Sequence, residues 1–207
     1  MSILVTGAAG FIGFHLAKQL LELGHDVIGF DNLNDYYDVS LKKSRLEELS
    51  KHQYFTFIHG DLADASAVNA LFREHKPDIV INLAAQAGVR YSITHPQAYI
   101  NSNIIGFFNV LEACRSERTP RLVHTSTSET YGTAQYVPID EKHPLQGQSP
   151  YSASKIGADK MAESYYNSFE LPVVIVRPFN TFGPRQSARA FIPTVITQAL
   201  TKDKIVM

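Results

Sequence analysis

Ile3-Leu4-Val5-Thr6-Gly7-Ala8-Ala9-Gly10-Phe11-Ile12-Gly13 passes from a strand-like run through three spaced glycines directly into a helical pattern. Glycines at this spacing serve a tight turn, the close approach of backbone to a pyrophosphate, and close helix–strand packing. The helix start adds free N–H groups and the positive end of a dipole to hold the phosphates. Asp31, closing the second strand-like run, follows Gly13 by 31 − 13 = 18 positions, near the ~20 expected of the acid that bonds an adenosine ribose. Such an acid repels a 2′-phosphate, so the spacing predicts NAD rather than NADP.

Outward from this stretch, apolar β-branched runs alternate with helical ones. Strands are expected at Ile3–Thr6, Val27–Asp31, Tyr54–His59, Asp78–Ala84, Arg121–Ser126 and Val173–Arg177. Helices are expected at Phe11–Leu23, Leu41–Leu49, Ala63–His75, Gln97–Glu117, Ser149–Phe169 and near Ala190–Leu200. Strands apolar on both faces and separated by helices indicate a parallel sheet covered on both sides. The fold class is therefore α/β, a Rossmann-type doubly wound parallel sheet over residues 1–178. Asn32–Ser50 is read as an insertion. Residues 179–207 are read as only the beginning of a small substrate domain, ending in a strand-like segment at Met207.

A net charge of −1 over 207 residues offers no basic excess for nucleic acid or an anionic membrane, so a phosphate-bearing ligand needs a local site. No apolar run approaches the roughly 20 residues that cross a bilayer. The amino terminus shows no tripartite signal pattern, and the single cysteine, Cys114, permits no internal disulfide. Both features point to the cytoplasm. Cys114 lies in a helical stretch and is expected to be packing rather than a nucleophile.

Asp61-Leu62, at the end of the third strand, is placed to meet an adenine, and Asp61 is also a candidate cap for the following helix. Leu83-Ala84-Ala85 offers small residues where a dinucleotide backbone would pass. Tyr151-Ser152-Ala153-Ser154-Lys155 sets a phenol and an ammonium one turn apart on one helix face. A cation beside Tyr151 favours its phenolate, which can take a hydroxyl proton while hydride leaves the same carbon. Thr127-Ser128-Glu129 follows the fifth strand, where open parallel sheets bind ligands. Thr127 is the expected hydrogen-bond partner of Tyr151 or the substrate hydroxyl, and Glu129 is either a second acid/base or a solvated loop carboxylate.

These motifs together resemble the extended short-chain dehydrogenase/reductase family, in its branch of NAD-dependent nucleotide-sugar epimerases and dehydratases. The family's glycine motif falls on Gly7, Gly10 and Gly13, its catalytic pair on Tyr151 and Lys155, and its hydroxyl residue on Thr127. Asn103-Ile104-Ile105-Gly106-Phe107-Phe108-Asn109 resembles the family's Asn-x-x-Gly-x-x-Asn helix. Arg177-Pro178-Phe179-Asn180 resembles the loop whose asparagine meets the sugar diphosphate. The resemblance implies cofactor contacts that include Phe11, Ile12, Asn32, Asn103, Tyr151, Lys155 and Pro178. It implies substrate contacts at Gln86, Arg90, Thr127, Asn180 and Arg185, no metal, and a homodimer built as a four-helix bundle.

Within the branch the two halves differ. Asp31–Asp38 and Ala85–Ser92 resemble UDP-glucuronate 4-epimerases. Thr127-Ser128-Glu129 is similar to sugar-nucleotide 4,6-dehydratases and UDP-glucuronate decarboxylases, and Gln135–Arg189 to dehydratases serving bacterial surface glycans. In a 4,6-dehydratase, the leading expectation here, oxidation at C4 is followed by removal of the C5 hydrogen by Glu129 and loss of water from C6, assisted by Ser128. A 4-epimerase, the alternative, turns the 4-keto ring and needs no Glu129. Decarboxylation, and a fragment that binds NAD without turnover, stand behind these.

Overall fold

The structure, a computed structural model, describes residues 1–202 and 204–206. All six expected strands form: β1 (Ser2–Thr6), β2 (Asp26–Asp31), β3 (Phe55–His59), β4 (Ile79–Asn82), β5 (Arg121–Thr125) and β6 (Val173–Val176). They pair in parallel in the order β3-β2-β1-β4-β5-β6. The order reverses between β1 and its neighbours β2 and β4, which opens a crevice at the strands' carboxyl ends. Along β1, Leu4 enters the core under one layer of helices, while Ile3 and Val5 enter the core under the other. That alternation is the two-residue period of a strand buried on both faces.

The helices are α1 (Phe11–Glu22), α2 (Val39–Leu49), α3 (Ala65–His75), α4 (Val89–Thr94), α5 (Pro96–Tyr99), α6 (Phe107–Ser116), α7 (Pro150–Phe169) and α8 (Phe191–Thr201). The single helix expected over Gln97–Glu117 is broken: a π-helical turn, Ile100–Gly106, joins α5 to α6. Its physical reason is a pull from two sides. Asn103 bonds the backbone N and O of Gln86, whereas Phe107, Val110 and Leu111 must face the sheet. α4 and a 3₁₀ turn at Ser128–Tyr131 have no counterpart in the expected pattern.

Element ends move for local reasons. α3 starts two residues later than expected because Asp64, not Asp61, caps it, accepting from the amides of Ser66 and Ala67. β4 ends at Asn82 because the amides of Leu83 and Ala84 turn to the Thr6 hydroxyl at 3.2 and 3.1 Å. α7 begins at Pro150, and Ser149 closes a reciprocal capping box with Ser152. The strand expected at the chain's end does not form at Lys204–Val206, and Asp203 and Met207 lie outside the described residues.

Candidate functional site

Gly7 leaves β1 at φ +72°, in the left-handed region, and a β-carbon there would stand 2.8 Å from the amide nitrogen of Ala84. Gly13 allows α1 to lie directly against this turn. No side chain caps α1, so its first-turn amides are left for a ligand. They open into a cleft of about 530 Å³ lined by Gly7, Gly10, Phe11, Ile12 and Gly13 on this side.

Asp31, Asn32, Asp61 and Leu62 line the same cleft. Asp31 is buried, and its carboxylate accepts from the amides of Ala9 (3.1 Å) and Leu33 (2.8 Å). Asp61 accepts from Ala63 N and from Asn32 Nδ2. Two cations that the sequence reading passed over sit behind Asp31. Lys42 Nζ is 4.0 Å from its Oδ1, and burial pushes the Lys42 ammonium below its usual range while Asp31 opposes that shift. Arg45 donates to Ala9 O and to the Tyr37 hydroxyl. Buried positions 42, 45, 46 and 49 on α2 carry an i, i+3, i+4, i+7 spacing. That spacing was the available signal; the charges masked it.

Leu83, Ala84, Ala85 and Gln86 form the floor, and Pro178 and Asn180 approach from the loop after β6. Asn103 does not reach the cleft; it holds Gln86 in place and bonds Ser154 Oγ at 2.9 Å. The structure does not bring Arg185 into the cleft. Its guanidinium bonds Ser44 and lies over the Phe14 ring, because the Arg185 carbonyl is held by Arg45. Arg189 lines the cleft instead and donates to Tyr36 O, tying the loop after β6 to the loop after β2. Arg90 is exposed on α4 and also stays outside.

At the far end Thr127, Tyr151 and Lys155 meet. Lys155 is buried and donates from Nζ to Thr125 O at 2.7 Å. Burial pushes its ammonium down to about 8, with the Asp159 carboxylate opposing. Burial raises the Tyr151 phenol above its ordinary value; hydrogen bonding from Thr127 lowers it, and the charge of Glu129 raises it. Neither Ser128 nor Glu129 lines the cleft, and Glu129 is exposed. They lie in the 3₁₀ turn, with Glu129 N bonded to Thr127 Oγ1 at 3.2 Å and the Glu129 carboxylate near enough for its charge to act on Tyr151. The arrangement offers a phosphate cradle, a ribose acceptor and a phenol beside a buried cation in one continuous groove.

Comparison with known proteins places this geometry. The family described as GDP-mannose 4,6 dehydratase matches residues 4–206. Protein CapI of Staphylococcus aureus is 45% identical over 188 residues, covering 89% of this chain and 55% of its own length. UDP-glucuronate 4-epimerase 6 of Arabidopsis thaliana is 43% identical over 186 residues, 89% of this chain and 40% of its own. Among solved structures, the UDP-glucuronic acid 4-epimerase of Bacillus cereus, in complex with UDP-glucuronic acid and NAD, superposes with a TM-score of 0.90. It is 34% identical and covers 97% of this chain and 63% of its own. The dTDP-glucose 4,6-dehydratase DesIV of Streptomyces venezuelae, with NAD bound, gives a TM-score of 0.89 at 33% identity, over 97% and 62%. The chain spans about half the length of the curated relatives it matches.

Proposed function

This chain belongs to the family described as GDP-mannose 4,6 dehydratase, whose members include NAD-dependent epimerases and dehydratases of nucleotide sugars, and from that membership we propose that it acts in a UDP-glucuronate 4-epimerase. The observation that carries the reading is that Tyr151, Lys155 and Thr127 share the cleft with the glycine turn while Glu129 stays outside it. The relatives named UDP-glucuronate 4-epimerase support the same choice.

The cleft fits NAD. Its uncapped helix start suits a pyrophosphate, and the buried Asp31 carboxylate suits ribose hydroxyls while opposing a 2′-phosphate. Bound there, NAD supplies a reversible hydride acceptor. Tyr151 takes the proton of the C4 hydroxyl, and Lys155 stabilises the phenolate that must form. Thr127 holds the hydroxyl in line. The resulting 4-keto sugar turns, and C4 is reduced on its other face with Tyr151 returning the proton. No base is needed at C5.

A 4,6-dehydratase is the second reading, favoured by the triplet Thr127-Ser128-Glu129. It requires Glu129, whose charge already acts on Tyr151, to remove the C5 hydrogen. Products from UDP-glucuronate and from UDP-N-acetylglucosamine, offered separately to the whole enzyme, decide between the two. Inversion at C4 with unchanged mass supports the epimerase, and loss of one water supports the dehydratase. Glu129→Gln gives an independent answer: it stays within a few-fold of the parent in an epimerase, but costs about 10²–10⁴-fold where Glu129 is the base.

The proposal includes a homodimer. Ile100, Ile105 and Phe108 are exposed along the stretch from the π-helical turn into α6, and Tyr166 and Phe169 are exposed on α7. Two neighbouring apolar faces of this kind pair about a twofold axis. Light scattering at micromolar concentration is expected to give twice the chain mass, and a monomer would count against it.

A further inference from the structure

A fully buried carboxylate sits one turn beyond Lys155 on α7. Asp159 has no exposed surface and lies outside the cleft. Its Oδ2 accepts from Arg177 Nε at 2.9 Å, while its Oδ1 has no hydrogen-bond partner. Facing that oxygen at 3.8 Å is Nε2 of His124, also buried and also without a partner. Buried polar atoms left unpaired are costly and call for an explanation.

The hydrogen bonds behind His124 fix its tautomer. Thr6 Oγ1 receives the amide protons of Leu83 and Ala84, so its own proton goes to Asn82 Oδ1 at 2.7 Å. Asn82 is thereby oriented with its amide nitrogen toward His124 Nδ1, 3.2 Å away. Nδ1 must accept, which leaves the proton of the neutral ring on Nε2, the atom facing Asp159. The ring is neutral because burial, reinforced by the Lys155 cation, holds its pKa well below the ordinary value. One buried carboxylate is therefore held by the Arg177 guanidinium at 2.9 Å and faced by the Nε2–H of His124.

We propose that Asp159 is a positioning residue of the Tyr151–Lys155 pair: a buried carboxylate, one helical turn from Lys155, held by Arg177 and faced by the Nε2–H of His124, that sustains the charge on the buried Lys155 ammonium. The inference rests on the reading of Tyr151 and Lys155 as the working pair. Lys155 meets the Thr125 carbonyl on β5, and Asp159 is the group that opposes its loss of charge. His124 on β5 is neutral, and Arg177 after β6 is committed to Asp159 and the Tyr131 hydroxyl. Glu129, in the 3₁₀ turn, acts on Tyr151. Without Asp159, Lys155 would give up its proton at lower pH and favour the Tyr151 phenolate less.

The test is Asp159→Asn in the whole enzyme, read by two pH titrations. In the first, lysine-selective NMR follows the Lys155 resonance, identified by its loss in Lys155→Met. Its midpoint is expected to fall by at least about one pH unit, a tenfold loss of proton affinity. In the second, calorimetry measures NAD affinity, expected to be within about threefold of the parent at pH 6 and at least about fivefold weaker at pH 8. A packing defect would weaken binding equally at both pH values, and that result, or an unmoved Lys155 midpoint, overturns the proposal. Should Asp159→Asn fail to fold, Asp159→Leu combined with Arg177→Met removes the buried pair together. That exchange is often tolerated, and it is read by the same two titrations. If Lys155→Met leaves NAD affinity unchanged, the reading of the cleft fails, whereas the NMR result still decides the role of Asp159.

Discussion

A β-carbon on Gly13 would stand 2.1 Å from the carbonyl oxygen of Gly7, so these two glycines fix how closely the start of α1 lies against the turn leaving β1. The obstructing atom is backbone and cannot rotate away. Gly13→Ala is therefore expected to cost about 1–3 kcal/mol of stability and to lower NAD affinity at least about tenfold. Thermal melts and calorimetric titration check it; full affinity in a folded variant would count against the phosphate cradle.

Asp31 sets the second expectation. The parent should prefer NAD to NADP by at least about tenfold, or about 1.4 kcal/mol. Asp31→Asn should erase most of that preference, because Lys42, 4.0 Å from Asp31, and Arg45, on the same cleft wall, then remain as unopposed cations. Paired titrations with the two cofactors provide the comparison. Equal affinities in the parent would remove Asp31 from its assigned role.

Lys155 makes stability depend on pH in a direction opposite to most lysines that gain a partner. Its ammonium is pushed from 10.5 down to about 8 in the fold. Between those values the unfolded chain holds a proton that the folded chain has released, so this group's contribution to stability rises with pH across that window. Below it, the fold bears the whole burial cost. Lys155→Met is expected to gain about 1–3 kcal/mol at pH 7, with the gain shrinking toward pH 10. Denaturant unfolding at both ends of the window gives the answer, and a gain that grows with pH would refute it.

Cys114 is buried in the core, and burial pushes its thiol up to about 12. Against an ordinary thiol its thiolate fraction near neutrality is lower by about 10³-fold, and thiol reagents should be slowed at least that much in the folded protein. Full reactivity should return in denaturant. Rapid native labelling would mean that the core opens far more readily than its packing implies.

Much of this was legible because a few residue types leave little choice. The strands announced themselves through β-branched runs, and the glycine turn and the Tyr151–Lys155 spacing named the ends of one cleft. What sequence hid were contacts between distant positions. Asp64 and Asp61 are equally good caps on paper, and only the turn after β3 decides that Asp64 serves. Lys42 and Arg45 carry no motif, and only the packing of α2 sets Lys42 beside Asp31 and Arg45 on the Ala9 carbonyl. The resemblance implies a substrate contact at Arg185, yet its own carbonyl is held by Arg45 and its guanidinium bonds Ser44. Glu129 stands out through its neighbours in sequence, but the 3₁₀ turn that carries it, Ser128–Tyr131, follows no periodicity.

The π-helical turn at Ile100–Gly106 has a consequence for how this chain can change in length. It holds one residue more than an α-helical path would need, so removing one residue there would restore regular hydrogen bonding locally. Because the turn absorbs that extra residue, the deletion would leave the faces of α5 and α6 in register and shift only the residues inside the turn, Asn103 among them. Asn103 would swing off Gln86, loosening the cleft floor while the hydrophobic core stayed intact. A length change invisible to a stability screen would thus register only when a ligand is offered.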